Sequence, residues 1–128
     1  MLARRDVYQQ VGGLDESFFM YAEEVDLCYR MRRADWQVWY QPEARVIHHG
    51  SGSSQKRRTQ REGDLYTSRV HFFRKHYGAR AAWQLKILIY TFTALKNIIH
   101  RAAQRLSHGR YGRSVISLRD LRQKMKGV

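Results

Sequence analysis

At 128 residues and 15.3 kDa, with 43% hydrophobic and 27% charged residues, the chain is one domain or part of a larger one, and disorder throughout is excluded. Twenty-four Lys and Arg against eleven Asp and Glu give a net charge of +13. One cysteine, Cys28, excludes an internal disulfide framework and suits a reducing compartment, no run of about 18 apolar residues forms a transmembrane helix, and the first five residues do not resemble a signal peptide.

Residues 4–11 read as a short helix or turn carrying Val7, Tyr8 and Val11, broken by Gly12-Gly13. Residues 14–22 are an irregular apolar cluster. Residues 23–34 read as a helix, with Glu23 and Glu24 in the first turn and Arg30, Arg32 and Arg33 in the last, as the helix dipole favours. Val25, Cys28 and Arg32 share one face, with Leu27 and Met31 beside it, and Asp35 follows as a left-handed cap. Residues 36–41 are aromatic and β-branched and predict a strand ended by Pro42. Residues 45–49 predict a second strand, and Gly50–Ser54 a flexible loop that a charged stretch extends to Arg61.

Residues 64–77 predict a helix with a stripe at Tyr66, Val70, Phe73 and Tyr77, ended by Gly78. Residues 80–106 predict a longer helix whose apolar run is interrupted by Lys86 and Lys96. The tail after Ser107 is basic and expected to be loosely ordered. Charge divides the chain in two. Residues 1–50 hold six basic and eight acidic side chains, whereas residues 51–128 hold eighteen basic and three acidic ones. A half so basic seeks a polyanion such as nucleic acid or an anionic membrane face.

Two groups of residues are candidates for chemistry. Glu23, Glu24 and Asp26 place three carboxylates within four residues. Clustered carboxylates can supply a general base, or they can simply complement a helix N-terminus. His48 and His49 end a predicted strand beside a flexible loop, where metal or substrate contacts are common, although composition alone favours a structural role for them. No zinc, phosphate-loop or Gly-x-Ser-x-Gly pattern occurs.

The stretch from Arg4-Arg5 through Val11-Gly12-Gly13-Leu14-Asp15-Glu16 and Phe18–Tyr21 resembles the second half of a family 2 glycosyltransferase. Glu23-Glu24-Val25-Asp26-Leu27-Cys28-x-Arg30 resembles the signature of its rhamnosyltransferase-like branch. Trp36-x-Val38-x-Tyr40-x-Pro42, Val46-x-His48 and Gly50-x-Gly52-Ser53-Ser54 continue in register, and a looser likeness runs through Phe73-x-Lys75-x-Tyr77-Gly78.

The resemblance implies an α/β architecture with residues 1–55 as the acceptor-side part of a GT-A domain, and the residues themselves add basic amphipathic helices at 56–106, able to lie in a membrane interface, and the tail at 107–128. It implies inverting transfer of a sugar from a nucleotide-sugar donor to a glycan or lipid-linked acceptor hydroxyl, with a divalent metal (Mg or Mn). Glu24 falls at the general base, where the family usually has Asp. Glu23, Asp26 and Arg30 brace the site, and His48 falls on the metal or pyrophosphate. Gly12, Gly13, Asp15, Trp36, Gly50, Ser53 and Ser54 shape the acceptor and loop surroundings. Phe18, Phe19, Trp36 and Trp39 serve as sugar platform or as core.

The family's nucleotide-binding half and its Asp-x-Asp motif have no counterpart in these residues, so the chain alone is expected to be inactive. A decayed, scaffold-like remnant in membrane or partner contact is the alternative. Nucleic acid is not an expected partner, because no recognition motif accompanies the charge and the acidic cluster opposes it. The expected location is the cytoplasm, peripheral on the inner face of the cell membrane.

Overall fold

The computed structural model describes residues 1–47, 58–106 and 115–128. Helix α1 spans Arg5–Gln10, α2 Glu23–Arg33, α3 Arg58–Leu106 and α4 Leu118–Lys124, which a 3₁₀ turn at Met125–Gly127 follows. All the regular structure among the described residues is helical.

The α1–α2 unit is small. Val7 of α1 packs on Leu27 and Met31 of α2, with Val11 and Trp36 at the edge. The buried side of α2 is therefore Asp26, Leu27 and Met31, and Val25 is half exposed. The face through Val25, Cys28 and Arg32 is not the core face. Asp35 takes the left-handed conformation with φ 63° after α2.

Helix α3 bends back on itself at Gly78, where φ is 87° and ψ 175°. Only glycine adopts this conformation without strain, so one residue turns a long helix into two arms. The arms meet through Tyr66 and Val70 on one side and Ala82 and Ile89 on the other, with Phe73 and Leu85 alongside. A Cβ at Gly78 would touch nothing within 4 Å, so the constraint lies in the backbone alone. Gly78→Ala is expected to cost about 1–3 kcal/mol, measured by urea unfolding; a change within error would mean that the bend is not set by this residue.

Two expectations fail among the described residues. Residues 36–41 and 45–47 form no strand. Trp39 and Tyr40 stand 80% and 86% exposed. β-Branched and aromatic residues make a strand only when a neighbouring ladder receives them, and no such neighbour lies among these residues. The tail also departs from expectation. Ile116, Leu121 and Met125 are buried with the two arms of α3. Ser117 caps α4 by accepting from the Asp120 amide at 3.1 Å. Gly63 lets α4 approach closely, since a Cβ there would come within 3.2 Å of Ile116 and 3.3 Å of Lys124.

Candidate active site

The acidic cluster sits at the N-terminus of α2, and the chain reaches it through a constrained path. Gly12 and Gly13 both have positive φ, 83° and 70°, and end α1. The Gly13 amide donates to the Tyr8 carbonyl at 2.9 Å, and the Leu14 amide donates to the Tyr8 hydroxyl at 3.2 Å. Asp15 then accepts from the Ser17 amide at 2.9 Å. Just before α2, Tyr21 and Ala22 both lie in the left-handed region, at φ 68° and 69°. Non-glycine residues hold this region only where their surroundings over-determine it. Here α3 supplies the restraint: Ser68 Oγ donates to the Met20 carbonyl at 2.5 Å, and Arg61 Nε donates to the Tyr21 hydroxyl at 3.1 Å.

The three clustered carboxylates occupy three different environments. Glu24 is exposed and has no hydrogen-bond or ion-pair partner among the described residues. Glu23 is half-buried, and its Oε2 is enclosed without a partner among them. Asp26 is fully buried. Its Oδ2 accepts from Arg30 Nε at 2.8 Å, and its Oδ1 lies 2.7 Å from Lys75 Nζ and 2.6 Å from His76 Nε2.

Burial pushes the Asp26 carboxyl up, but hydrogen bonds from Lys75, His76 and Arg30 together hold it below the ordinary range. An ionised carboxylate can only accept, so His76 carries its proton on Nε2. Lys75 also reaches Asp15 at 2.6 Å. Hydrogen bonds from Lys75 and from Ser17 hold Asp15 well below its ordinary value. Burial lowers the Lys75 ammonium, yet its bonds to Asp15 and Asp26 leave it raised overall.

Arg30 ties this network to the glycine turn. Its guanidinium donates to the Val11 carbonyl and, at 2.6 Å, to the Gly13 carbonyl. Asp26 and Arg30 thus join α2 to the glycine turn. The Trp36 indole N–H donates to Gln10 at 3.0 Å, and Arg4 lies over its ring at 5.1 Å. Phe18 is buried edge-on against His71, with ring centroids 4.6 Å apart, whereas Phe19 is 86% exposed. His48, Gly50, Ser53 and Ser54 lie outside the described residues.

Three residues of this site come from α3, and the sequence reading gave none of them a site role: His71, Lys75 and His76. His71 Nε2 lies 2.8 Å from Ser17 Oγ. The His76 ring packs between Tyr29 and Phe72, with centroids at 4.3 and 4.6 Å. The one available signal was Phe72 and His76, four apart on a helix and beside the apolar stripe. Among the described residues no three His, Cys, Asp or Glu side chains gather where they could hold a metal ion. Both Asp26 oxygens are already taken by Arg30 and Lys75, so Asp26 is not free to hold the divalent metal implied by the resemblance.

No protein-family model matches the chain, and no solved structure matches it. Curated relatives do. Over 54 residues the chain is 48% identical to an N-acetylglucosaminyl-diphospho-decaprenol L-rhamnosyltransferase of Mycobacterium tuberculosis, covering 42% of this chain and 18% of that protein. It is 47% identical over 38 residues to the low-salt glycan biosynthesis hexosyltransferase Agl10 of Haloferax volcanii, covering 30% of this chain and 12% of that protein. It is 39% identical over 49 residues to the rhamnosyltransferase WbbL of Escherichia coli, covering 38% and 19%. The chain thus matches less than a fifth of the length of these relatives. Through that shared segment it is related to glycosyltransferases of glycan biosynthesis.

Proposed function

We propose that this chain is the acceptor-side part of an inverting GT-A glycosyltransferase. The longer polypeptide transfers a sugar from a nucleotide-sugar to an acceptor hydroxyl in cell-surface polysaccharide assembly. The observation that carries this reading is the division of roles at the start of α2: Asp26 is buried and bonded by Arg30, Lys75 and His76, and Glu24 is open to solvent. A carboxylate committed to Arg30, Lys75 and His76 is a poor proton acceptor. An uncommitted one on the same rigid helix is available to take a proton from a hydroxyl.

In this reading Glu24 removes the acceptor proton as the bond from the sugar to the diphosphate breaks. Glu23, half-buried beside Glu24 on the same helix terminus, is the supporting carboxylate. Asp26, Arg30, Lys75 and Asp15 hold the α2 terminus and the glycine turn in fixed relation, which is the preorganisation that proton transfer needs. A metal would stabilise the leaving diphosphate, held by His48 or by other residues outside those described.

The α/β architecture is proposed for the longer polypeptide. An open apolar groove of about 800 Å³, lined in part by Met1, Val7, Met31 and Trp36, supports it as a surface that a sheet could cover.

The test is a transfer assay with the complete polypeptide that carries this chain. A panel of nucleotide-sugars is offered with lipid-linked and free glycan acceptors, and the anomeric configuration of the product is read by NMR. Transfer with inversion is expected. Retention of configuration would overturn the mechanism, and absence of transfer from every donor would favour the scaffold alternative.

A further inference from the structure

The C-terminal arm of α3 turns the two lysines of its apolar run inward and leaves a row of large apolar residues outward. Ala82, Ile89 and Thr93 are buried on the side that faces the other arm and α4. With 3.6 residues per turn, Ile87, Leu88, Phe92, Leu95, Ile98 and Ile99 fall on the opposite side. All six are between 42% and 64% exposed.

Both lysines that interrupt this apolar run in the sequence are used internally. Lys86 Nζ donates to the Val128 carbonyl at 2.6 Å and to that of Met125 at 3.4 Å. Lys96 pairs with Glu62. Lys96 is the sole charged residue from Ile87 to Ile99, so no charge breaks the outer face over more than three turns. Monomeric proteins rarely leave so continuous an apolar surface open unless something covers it.

The rim of this face identifies what covers it. Arg80 stands exposed before it, and Arg101 and Arg105 stand exposed after it. Beside it, Arg119 and Arg122 of α4 line a shallow groove of about 580 Å³ together with Thr91 and Ala94. No acidic residue occurs between Asp64 and Asp120. Trp83, 63% exposed, lies near the edge of the face, where an interfacial indole is favoured. Nucleic acid would satisfy the arginines but leave the Leu, Ile and Phe side chains in water. Among the described residues no helix is long and apolar enough to cross a membrane, so an arm of this kind lies along a bilayer and does not span it.

We propose that the outer face of the C-terminal arm of α3 is a docking surface for an anionic membrane: Ile87, Leu88, Phe92, Leu95, Ile98 and Ile99 enter the headgroup boundary, and Arg80, Arg101, Arg105, Arg119 and Arg122 meet lipid phosphates. This inference is independent of the transferase reading, because membrane docking requires neither sugar donor nor acceptor.

The experiment is flotation of the purified full chain with two kinds of vesicle, pure phosphatidylcholine and phosphatidylcholine with about one quarter phosphatidylglycerol. Partitioning onto the anionic vesicles is expected to exceed that onto the neutral ones by at least about ten-fold and to fall with added salt. Phe92→Glu with Leu95→Glu is expected to reduce it by more than about ten-fold. Arg101→Glu with Arg105→Glu is expected to reduce it by about five-fold per residue or more. All four positions are exposed, and far-UV circular dichroism checks that helicity is kept.

Three results would overturn the proposal. One is equal partitioning onto both vesicles. Another is partitioning unchanged by the Phe92 and Leu95 substitutions. The third is a chain that does not float but sediments as a dimer, and becomes monomeric with Phe92→Glu, which would make the face a contact between copies.

Discussion

Glu24→Gln in the complete polypeptide is expected to lower kcat by about 10²–10⁴ while leaving the KM for the nucleotide-sugar within about two-fold. Gln keeps the size of the side chain and its hydrogen-bonding reach but cannot accept the acceptor proton. Glu24 is exposed and unpartnered among the described residues, so the substitution should leave folding stability within about 0.5 kcal/mol. Loss of turnover with intact stability separates a catalytic role from a structural one. Glu24→Asp places the side chain that the resemblance implies at this position, about one C–C bond shorter, on the same helix terminus and should retain turnover. A Glu24→Gln enzyme with wild-type kcat would remove Glu24 from the mechanism and leave Glu23 as the remaining solvent-accessible carboxylate of the cluster.

Asp26→Asn is expected to destabilise the chain by about 3 kcal/mol, because it leaves Arg30, Lys75 and His76 facing one another without their shared anion. Lys75 keeps Asp15, which limits the loss. Lys75→Met introduced into the Asp26→Asn chain should therefore cost less than Lys75→Met alone, and a double-mutant cycle in urea unfolding measures the difference.

The same network sets an acid dependence. The folded-state values of Asp15 and Asp26 are both depressed below the ordinary 3.8. Their stabilising contribution is therefore fully present above that ordinary value and is lost as pH falls below it toward the folded-state values. Stability of the native chain should decline steeply below about pH 4, and Asp26→Asn should make that decline shallower. A cost under about 0.5 kcal/mol for Asp26→Asn, with an unchanged acid limb, would show that α2 and α3 are held together by apolar contacts alone.

The local elements were legible because their causes are local. Acidic residues at one end of 23–34 and basic residues at the other match a helix dipole, and α2 forms over Glu23–Arg33. Gly78 interrupts a helical stripe, and the chain bends there. The acidic cluster could be picked out because Glu23, Glu24 and Asp26 are adjacent in the chain. Their separate roles could not, because spacing along a helix does not say which residue a distant element will cover. Asp26 becomes a buried brace only when Lys75 and His76 arrive from α3, some fifty residues away in the chain.

The failures share that origin. Residues 36–41 have strand composition, but a strand exists only with a partner ladder, which composition cannot supply. The tail after Ser107 lacks a long apolar period, yet Ile116, Leu121 and Met125 suffice once the arms of α3 form a floor for them. Lys86 and Lys96 looked like charges that spoil an apolar helix, and only packing showed them turned toward Val128 and Glu62. By itself the sequence determined the first three helices, the break at Gly78 and the acidic terminus of α2, because dihedral preference, dipole and periodicity act within a few residues. The tertiary structure alone decided which carboxylate is locked, which stays open and which face of the long helix is left to a partner, because burial and charge pairing depend on elements far apart in the chain.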